Sequence, residues 1–245
     1  MQKPILLLWT SGWDSTFRLL QIIFIEKKTV QPIYIIDKNR KSLSNELNAI
    51  ENIKNKIKTE FPTAYQLIQP IWLIEKEEIN ISKEITTSTD YINANVRMGS
   101  QYSWLAQFCN NSNLENVEIG IDKNTDSLSF THFLTVNYIL TNYKDSNNKE
   151  LYTKLDTLFK YFSFPIYSLS KSEMHILAKK YNWEAIMQMT WFCHKPKNNT
   201  PCGKCVPCIA VIKKGLGYRI PTLNRIKGYM KIYSKMGKLI KSPIS

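Results

Sequence analysis

Acidic residues run out early in this chain. After Glu184 there is no Asp or Glu, while residues 185–245 carry 12 Lys or Arg. The formal charge of +13 is therefore almost wholly a property of the last quarter of the 245 residues. A surface of one sign points to an acidic partner, either nucleic acid or an acidic protein face. Lys, Asn and Ile are abundant throughout, so compositional drift is the plainer reading of the same excess. Long apolar runs are also missing. Nothing approaches the roughly 18 residues of a membrane span, which excludes a membrane helix. The run Ile5 to Trp9 is too short for the core of a signal peptide, so a cytoplasmic location is expected. Glycine is scarce, at 8 residues. Neither a Walker loop nor a GxGxxG fingerprint occurs. Internal repeats and low-complexity stretches are absent too.

What remains is a globular composition, 43% hydrophobic and 22% charged, long enough to bury a core. Its periodicity predicts an α/β fold: a parallel sheet with helices on both faces. Ile5 to Trp9 and Ile33 to Ile36 read as buried strands. Between them a helix is expected over Ser15 to Lys28, with Phe17, Leu20 and Phe24 at helical spacing. Further helices are expected over about 44–60, 100–110, 131–143 and 149–162, and further strands over Leu67–Ile74 and Val117–Ile121. Pro70 is expected at a bulge or edge. Residues 75–98 read as a loop with a short helix, and Phe164–Leu169 as a short extended piece. Ser170 and Glu173 fit a capping box that opens a helix running to about Tyr181. A basic helix is expected over about 222–240. The chain divides into an α/β unit over 1–185 and a cysteine-rich segment with a basic tail over 186–245.

Two segments carry chemistry. The first is WTSGWDSTF at 9–17, where a strand gives way to a helix. The free N–H groups and positive dipole of a helix start attract an anion. Ser11 and Gly12 are small enough for a phosphate to approach. Thr10, Ser15 and Thr16 add hydroxyl donors. Asp14 can cap the helix or hold a magnesium ion. Trp13 can stack on a ring or a partner surface, or simply pack. An ordinary strand-to-helix turn fits the spacing equally well. The second segment, CHKPKNNTPCGKCVPC, spaces Cys193, Cys202, Cys205 and Cys208 as C-x8-C-x2-C-x2-C. Four soft ligands in a reducing compartment read as a closed structural zinc site; an iron–sulfur cluster or a redox pair are the alternatives. His194 could compete with Cys193. Cys109, in an apolar helical pattern, reads as a buried small hydrophobe.

Together these segments resemble the 7-cyano-7-deazaguanine synthase (QueC-like) family of PP-loop ATP pyrophosphatases. The family loop SGGxDST is similar to TSGWDST at 10–16, with Thr10 and Ser11 replacing a Ser and a Gly. The family's LSK-x-E resembles LSKSE at 169–173, and its TW-x-C…CG-x-C-x-x-C signature resembles TWFC at 190–193 with CGKCVPC at 202–208. Arg97 is a weaker counterpart of an arginine in the family's middle region. The resemblance implies an adenine nucleotide alpha hydrolase-like fold. It implies an ATP- and magnesium-dependent ligase that adenylates the carboxylate of 7-carboxy-7-deazaguanine and releases pyrophosphate. Ammonia then gives an amide, and a second activation gives the nitrile, a precursor of queuosine. On this reading Thr10, Ser11, Gly12, Trp13, Asp14, Ser15 and Thr16 bind the nucleotide. Asp14, Ser15, Lys171 and Arg97 serve catalysis. The zinc is structural, and a homodimer is compatible with the resemblance. The family's TDYSGYPDCR, which helps form its base pocket, is matched only by Thr125 and Asp126 before SLSFTHF follows. A remodelled pocket and a basic extension fit a protein or nucleic-acid amine as acceptor, as in diverged relatives associated with antiphage operons. Two other readings stay open: a PP-loop enzyme that modifies tRNA, and a non-catalytic zinc module that binds nucleic acid or protein.

Overall fold

The computed structural model describes residues 3–124, 126 and 129–240, the last six by backbone alone. Thr125 thus lies outside the described residues. The elements in chain order begin with β1 (Ile5–Leu8) and α1 (Trp13–Leu20), which continues as a π-helical turn over Gln21–Glu26. Then come β2 (Val30–Ile36), α2 (Leu43–Glu60), α3 (Pro62–Tyr65), β3 (Trp72–Glu75), α4 (Lys83–Asn95), α5 (Gln101–Asn111) and β4 (Val117–Glu118). α6 (Phe130–Leu134) runs on as a second π-helical turn over Thr135–Ile139. The chain closes with α7 (Lys149–Phe159), β5 (Phe162–Ser163), α8 (Lys171–Lys180), α9 (Glu184–Gln188), α10 (Val206–Lys213) and α11 (Thr222–Ile240).

The described strands form one parallel sheet in the order β3-β2-β1-β4-β5. β1 to β3 build outward in one direction, and β4 and β5 in the other. The chain therefore reverses between β1 and β4, and ligands of open α/β sheets bind outside the carboxyl ends at such a reversal. Both faces are covered, as expected. One face packs Leu8, Ile33, Ile35 and Ile119 under α4 to α7, and the other packs Leu7, Trp9 and Tyr34 under α1, α2, α8 and α9. Among the described residues no helix is long and apolar enough to cross a membrane.

The differences from the periodicity reading have local causes. α1 starts at Trp13 and not at Ser15, with Gly12 as its N-cap, so Asp14 lies inside the first turn and is not the cap. Lys27 adopts φ 52° and ends the helix at Glu26, short of the expected Lys28. β2 begins three residues earlier than expected and contains Pro32. Gln31 covers the resulting gap, its Nε2 donating to the carbonyls of Pro32 (3.0 Å) and Pro70 (2.7 Å). Pro70 sits just before the edge strand β3, where a missing N–H costs least. The region 75–98 holds a 13-residue helix, α4. Three of its threonines, Thr86, Thr87 and Thr89, turn their hydroxyls back onto carbonyls four residues earlier, which satisfies them locally. β5 forms at Phe162–Ser163, starting on the last residue of the helix expected over about 149–162, and 164–169 is a chain of turns.

Candidate active site

The turn between β1 and α1 is shaped by one strained residue. Ser11 takes φ 55°, a left-handed conformation, and its carbonyl accepts from the N–H of Trp191 (2.9 Å). This bond ties the turn to the segment that leads into the cysteines. Gly12 caps α1 with no side-chain hydrogen bond, which leaves the first-turn amides uncapped. Ser15 Oγ closes the turn from inside, accepting from the N–H of Thr10 and donating to the carbonyl of Gly12, each at 3.4 Å.

α1 is fixed to β4 at two heights. Above, Gly120 presses on its first turn; a Cβ there would lie 2.8 Å from the N of Ser15 and 3.0 Å from the C of Asp14. Below, the buried Arg18 guanidinium makes a two-pronged pair with Glu118, Nε to Oε2 at 2.7 Å and Nη2 to Oε1 at 2.8 Å. Burial opposes the Arg18 charge, but its bonds to Glu118 and Glu26 outweigh burial and raise its pKa. Neither Gly120 nor Arg18 was singled out by sequence reasoning. The signal available for Gly120 was a glycine inside the strand expected over Val117–Ile121, a mark of close backbone approach.

Lys171 joins the turn from α8. Its Nζ lies 2.5 Å from Asp14 Oδ1 and 3.4 Å from Asp122 Oδ2. The capping box expected at Ser170 and Glu173 is present and sets this placement. Lys171 is thus no solvated first-turn lysine. Burial works against its charge, yet the two carboxylates prevail and raise its pKa, so it is a fixed ammonium at neutral pH. Burial, helped by Asp122, raises the pKa of Asp14 despite the counter-pull of Lys171.

Two cavities meet at the turn. One, of about 140 Å³, is apolar on its walls (Leu8, Ile33, Ile35, Ile119) and reaches Thr10, Gly12, Asp14 and Ser15. The other, of about 330 Å³, runs from Thr10, Gly12, Trp13 and Asp14 to Lys171, Lys214 and Arg219. Arg40 and Gln101 line both. Arg40, which sequence reasoning missed, is half-buried and pairs with Glu46 at 2.9 Å. Thr16 and Ser11 line neither. Thr16 is buried and its Oγ1 accepts from Trp9 Nε1 at 3.0 Å. Trp13 is buried under Arg219 and beside His175, not offered to an outside surface. Arg97 is exposed between α4 and α5 and lines neither cavity. Two buried polar atoms here have no partner, Ser11 Oγ and Trp13 Nε1. Uncapped amides, the unpartnered Trp13 indole N–H and two lysines fit a polyanion.

The four clustered cysteines converge: their sulfurs lie within 4.8 Å of one another, with Cys193–Cys205 at 3.8 Å and Cys202–Cys208 at 3.9 Å. Tetrahedral zinc with bonds of about 2.3 Å spaces its sulfurs at about 3.8 Å, so this set suits zinc. Backbone N–H groups of Cys202, Lys204 and Cys205 donate to these sulfurs. His194 is outside the cluster and lines the larger cavity. Gly203, at φ 76°, lets α11 dock on the knuckle; a Cβ there would meet the Asn224 carbonyl at 1.9 Å. Asn224 Nδ2 donates to the Pro201 carbonyl at 3.0 Å and Lys231 Nζ to the Lys204 carbonyl at 2.8 Å.

Among curated proteins none matches the chain. The family model for queuosine biosynthesis protein QueC matches residues 5–216, from β1 to just past α10. With the parallel sheet, the turn and the cysteine cluster in place, the chain belongs to the QueC family, which uses ATP to form amide and nitrile bonds on a 7-deazapurine.

Proposed function

We propose that the protein adenylates the carboxylate of 7-carboxy-7-deazaguanine and passes the acyl group to an amine. The observation that carries this reading is the convergence of uncapped α1 amides, Lys171 and two joined cavities at one turn. The apolar cavity suits the adenine ring. The larger cavity suits the polyphosphate and the acyl group, because it gathers Lys171, Lys214 and Arg40 against only Asp14 and Glu46, with Arg219 on its far wall. Thr10, Gly12, Asp14 and Ser15 are the turn residues at the phosphates. Ser11, Trp13 and Thr16 support them, by backbone shape, packing and the bond to Trp9. Arg97, exposed in the α4–α5 connection and outside both cavities, has no part at the reacting atoms in this reading.

A carboxylate oxygen attacks the α-phosphorus, the bond to the bridging oxygen breaks and pyrophosphate leaves. The amine then adds to the acyl carbon, AMP departs with the former carboxylate oxygen, and the amine gives up a proton. Lys171 stays protonated throughout and offsets negative charge at the phosphates. Asp14 and Asp122 are the carboxylates that would hold magnesium, which shields the polyphosphate charge when bound. Zinc at Cys193, Cys202, Cys205 and Cys208 would have no open position, so its part is to fold the segment that carries Trp191 against the turn.

The acceptor is ammonia in the simplest form of the reaction. A macromolecular amine is favoured by one observation: α11 exposes Leu223, Ile226, Met230 and Tyr233 beside Arg225, Lys227 and Lys231. Incubation with 7-carboxy-7-deazaguanine, ATP, magnesium and ammonium should release pyrophosphate and give an amide or nitrile by mass spectrometry. No pyrophosphate with any amine would refute the reading.

A further inference from the structure

A third cavity, of about 470 Å³, lies beside the site between α2, α9 and the knuckle. Its lining is polar but nearly uncharged. Asn45, Asn48, Asn52, Gln188 and Asn199 supply amides, and Arg219 supplies the one charge. Arg219 lines both this cavity and the larger cavity at the turn, so it is the wall they share. It stands beyond residue 216, where the family match ends.

The Arg219 guanidinium is built in, not draped on the surface. Nη2 donates to the Thr190 carbonyl (2.5 Å), to Thr190 Oγ1 (2.8 Å) and to the Gln188 carbonyl (3.4 Å). Its plane lies over Phe192 at 4.9 Å and Trp13 at 5.5 Å from the ring centroids. Every described partner is thus a neutral oxygen or an aromatic face, and no carboxylate pairs with it among the described residues. Burial pushes its pKa down to about 10, still well above neutrality. A half-buried guanidinium without an acid is an unusual expense unless a ligand anion completes it. Nη2 is anchored, and the rest of the planar fork is available to receive a carboxylate in two-pronged fashion.

Charge matching separates the two cavities. Apart from the shared Arg219, the larger cavity gathers three cations against two acids, as a polyphosphate demands. The third cavity offers one cation and no acid, as a single negative charge demands. Its amides can donate to and accept from the edge of a heterocycle, and Trp191 and Phe192 offer flat faces.

We propose that Arg219 binds the carboxylate of the acyl substrate, with the heterocycle in the third cavity, and so presents that carboxylate to the nucleotide at the turn. This assignment rests on the adenylation reading above.

Calorimetry on the full-length, zinc-loaded protein tests it. Arg219→Gln should weaken 7-carboxy-7-deazaguanine at least tenfold while ATP with magnesium binds within about twofold of wild type. 7-Deazaguanine, which lacks the carboxylate, should bind wild type and Arg219→Gln equally. Asn48→Asp, on the exposed rim, should also weaken the carboxylate by adding a like charge, and it provides the test if Arg219→Gln does not fold. Loss of ATP affinity in Arg219→Gln with unchanged carboxylate binding would assign the guanidinium to phosphate and overturn the proposal. Unchanged carboxylate binding in both variants would overturn it alone, whereas wild-type protein that binds no 7-carboxy-7-deazaguanine would remove the adenylation reading as well.

Discussion

Lys171 shows how far one residue's surroundings decide its role. Its ammonium sits between two carboxylates and stays charged, so it can steer negative charge but cannot serve as a base at neutral pH. Lys171→Met should lower pyrophosphate release by about 10²- to 10³-fold, the usual cost of one preorganised charge donor. The same change should move the Asp14 titration midpoint upward, because Lys171 is the main influence that draws that carboxyl down. Carbon-13 NMR of the carboxyl would follow it; a midpoint that falls would contradict the pairing. Asp14 already titrates above its usual 3.8, so its protonated form favours the folded state and its contribution to stability fades as pH rises through the folded value. Cys109 makes the complementary case. It is fully buried and burial pushes its thiol up to about 12. At about pH 8 it should not react with a thiol reagent until the protein unfolds, since the thiolate is the reactive form.

At the scale of elements, α1 is held by Gly120 above and by the Arg18–Glu118 pair below. Gly120→Ala should displace the first turn and raise the KM for ATP several-fold. Its thermal midpoint should move less than that of Glu118→Gln, which removes one of the two carboxylates that pair the buried Arg18 guanidinium and leaves only Glu26. Chelation of zinc is the second element-scale test. Zinc-loaded protein should expose no reactive thiol among the clustered cysteines. Removal should free four thiols and release α11, read as a loss of helical circular dichroism. The capping box, the α8 and α11 helices, and the cysteine spacing were legible in the sequence, because each is a short-range pattern with its own chemistry. α4 was legible only as a short helix, since half of its buried stripe, Ile85, Ser88, Thr89 and Ile92, is polar, and its threonine hydroxyls bond backward along the helix. β2 was half-legible, because Pro32 argues against a strand unless a neighbour such as Gln31 fills the gap. Arg40 and Arg219 escaped notice for one shared reason. They reach the site from distant parts of the chain, and no local spacing marks them.

For the molecule as a whole, the basic residues from Lys195 to Lys231 are not carried on a loose tail. Gly203 and Gly228 let α11 lie against the knuckle, and a Cβ on Gly228 would come within 2.6 Å of the Gly203 carbonyl. The knuckle in turn ties back to the turn through Trp191 and Ser11. Sheet, turn, cysteine segment and α11 thus form one connected path, along which Arg219 and Lys214 reach the site. The claim on which all of this depends is attack by the substrate carboxylate on the α-phosphorus at the β1–α1 turn. 7-Carboxy-7-deazaguanine labelled with oxygen-18 in its carboxylate tests it most directly. The account predicts one labelled oxygen in the AMP released; label in inorganic phosphate, or none in either nucleotide or phosphate, would contradict it.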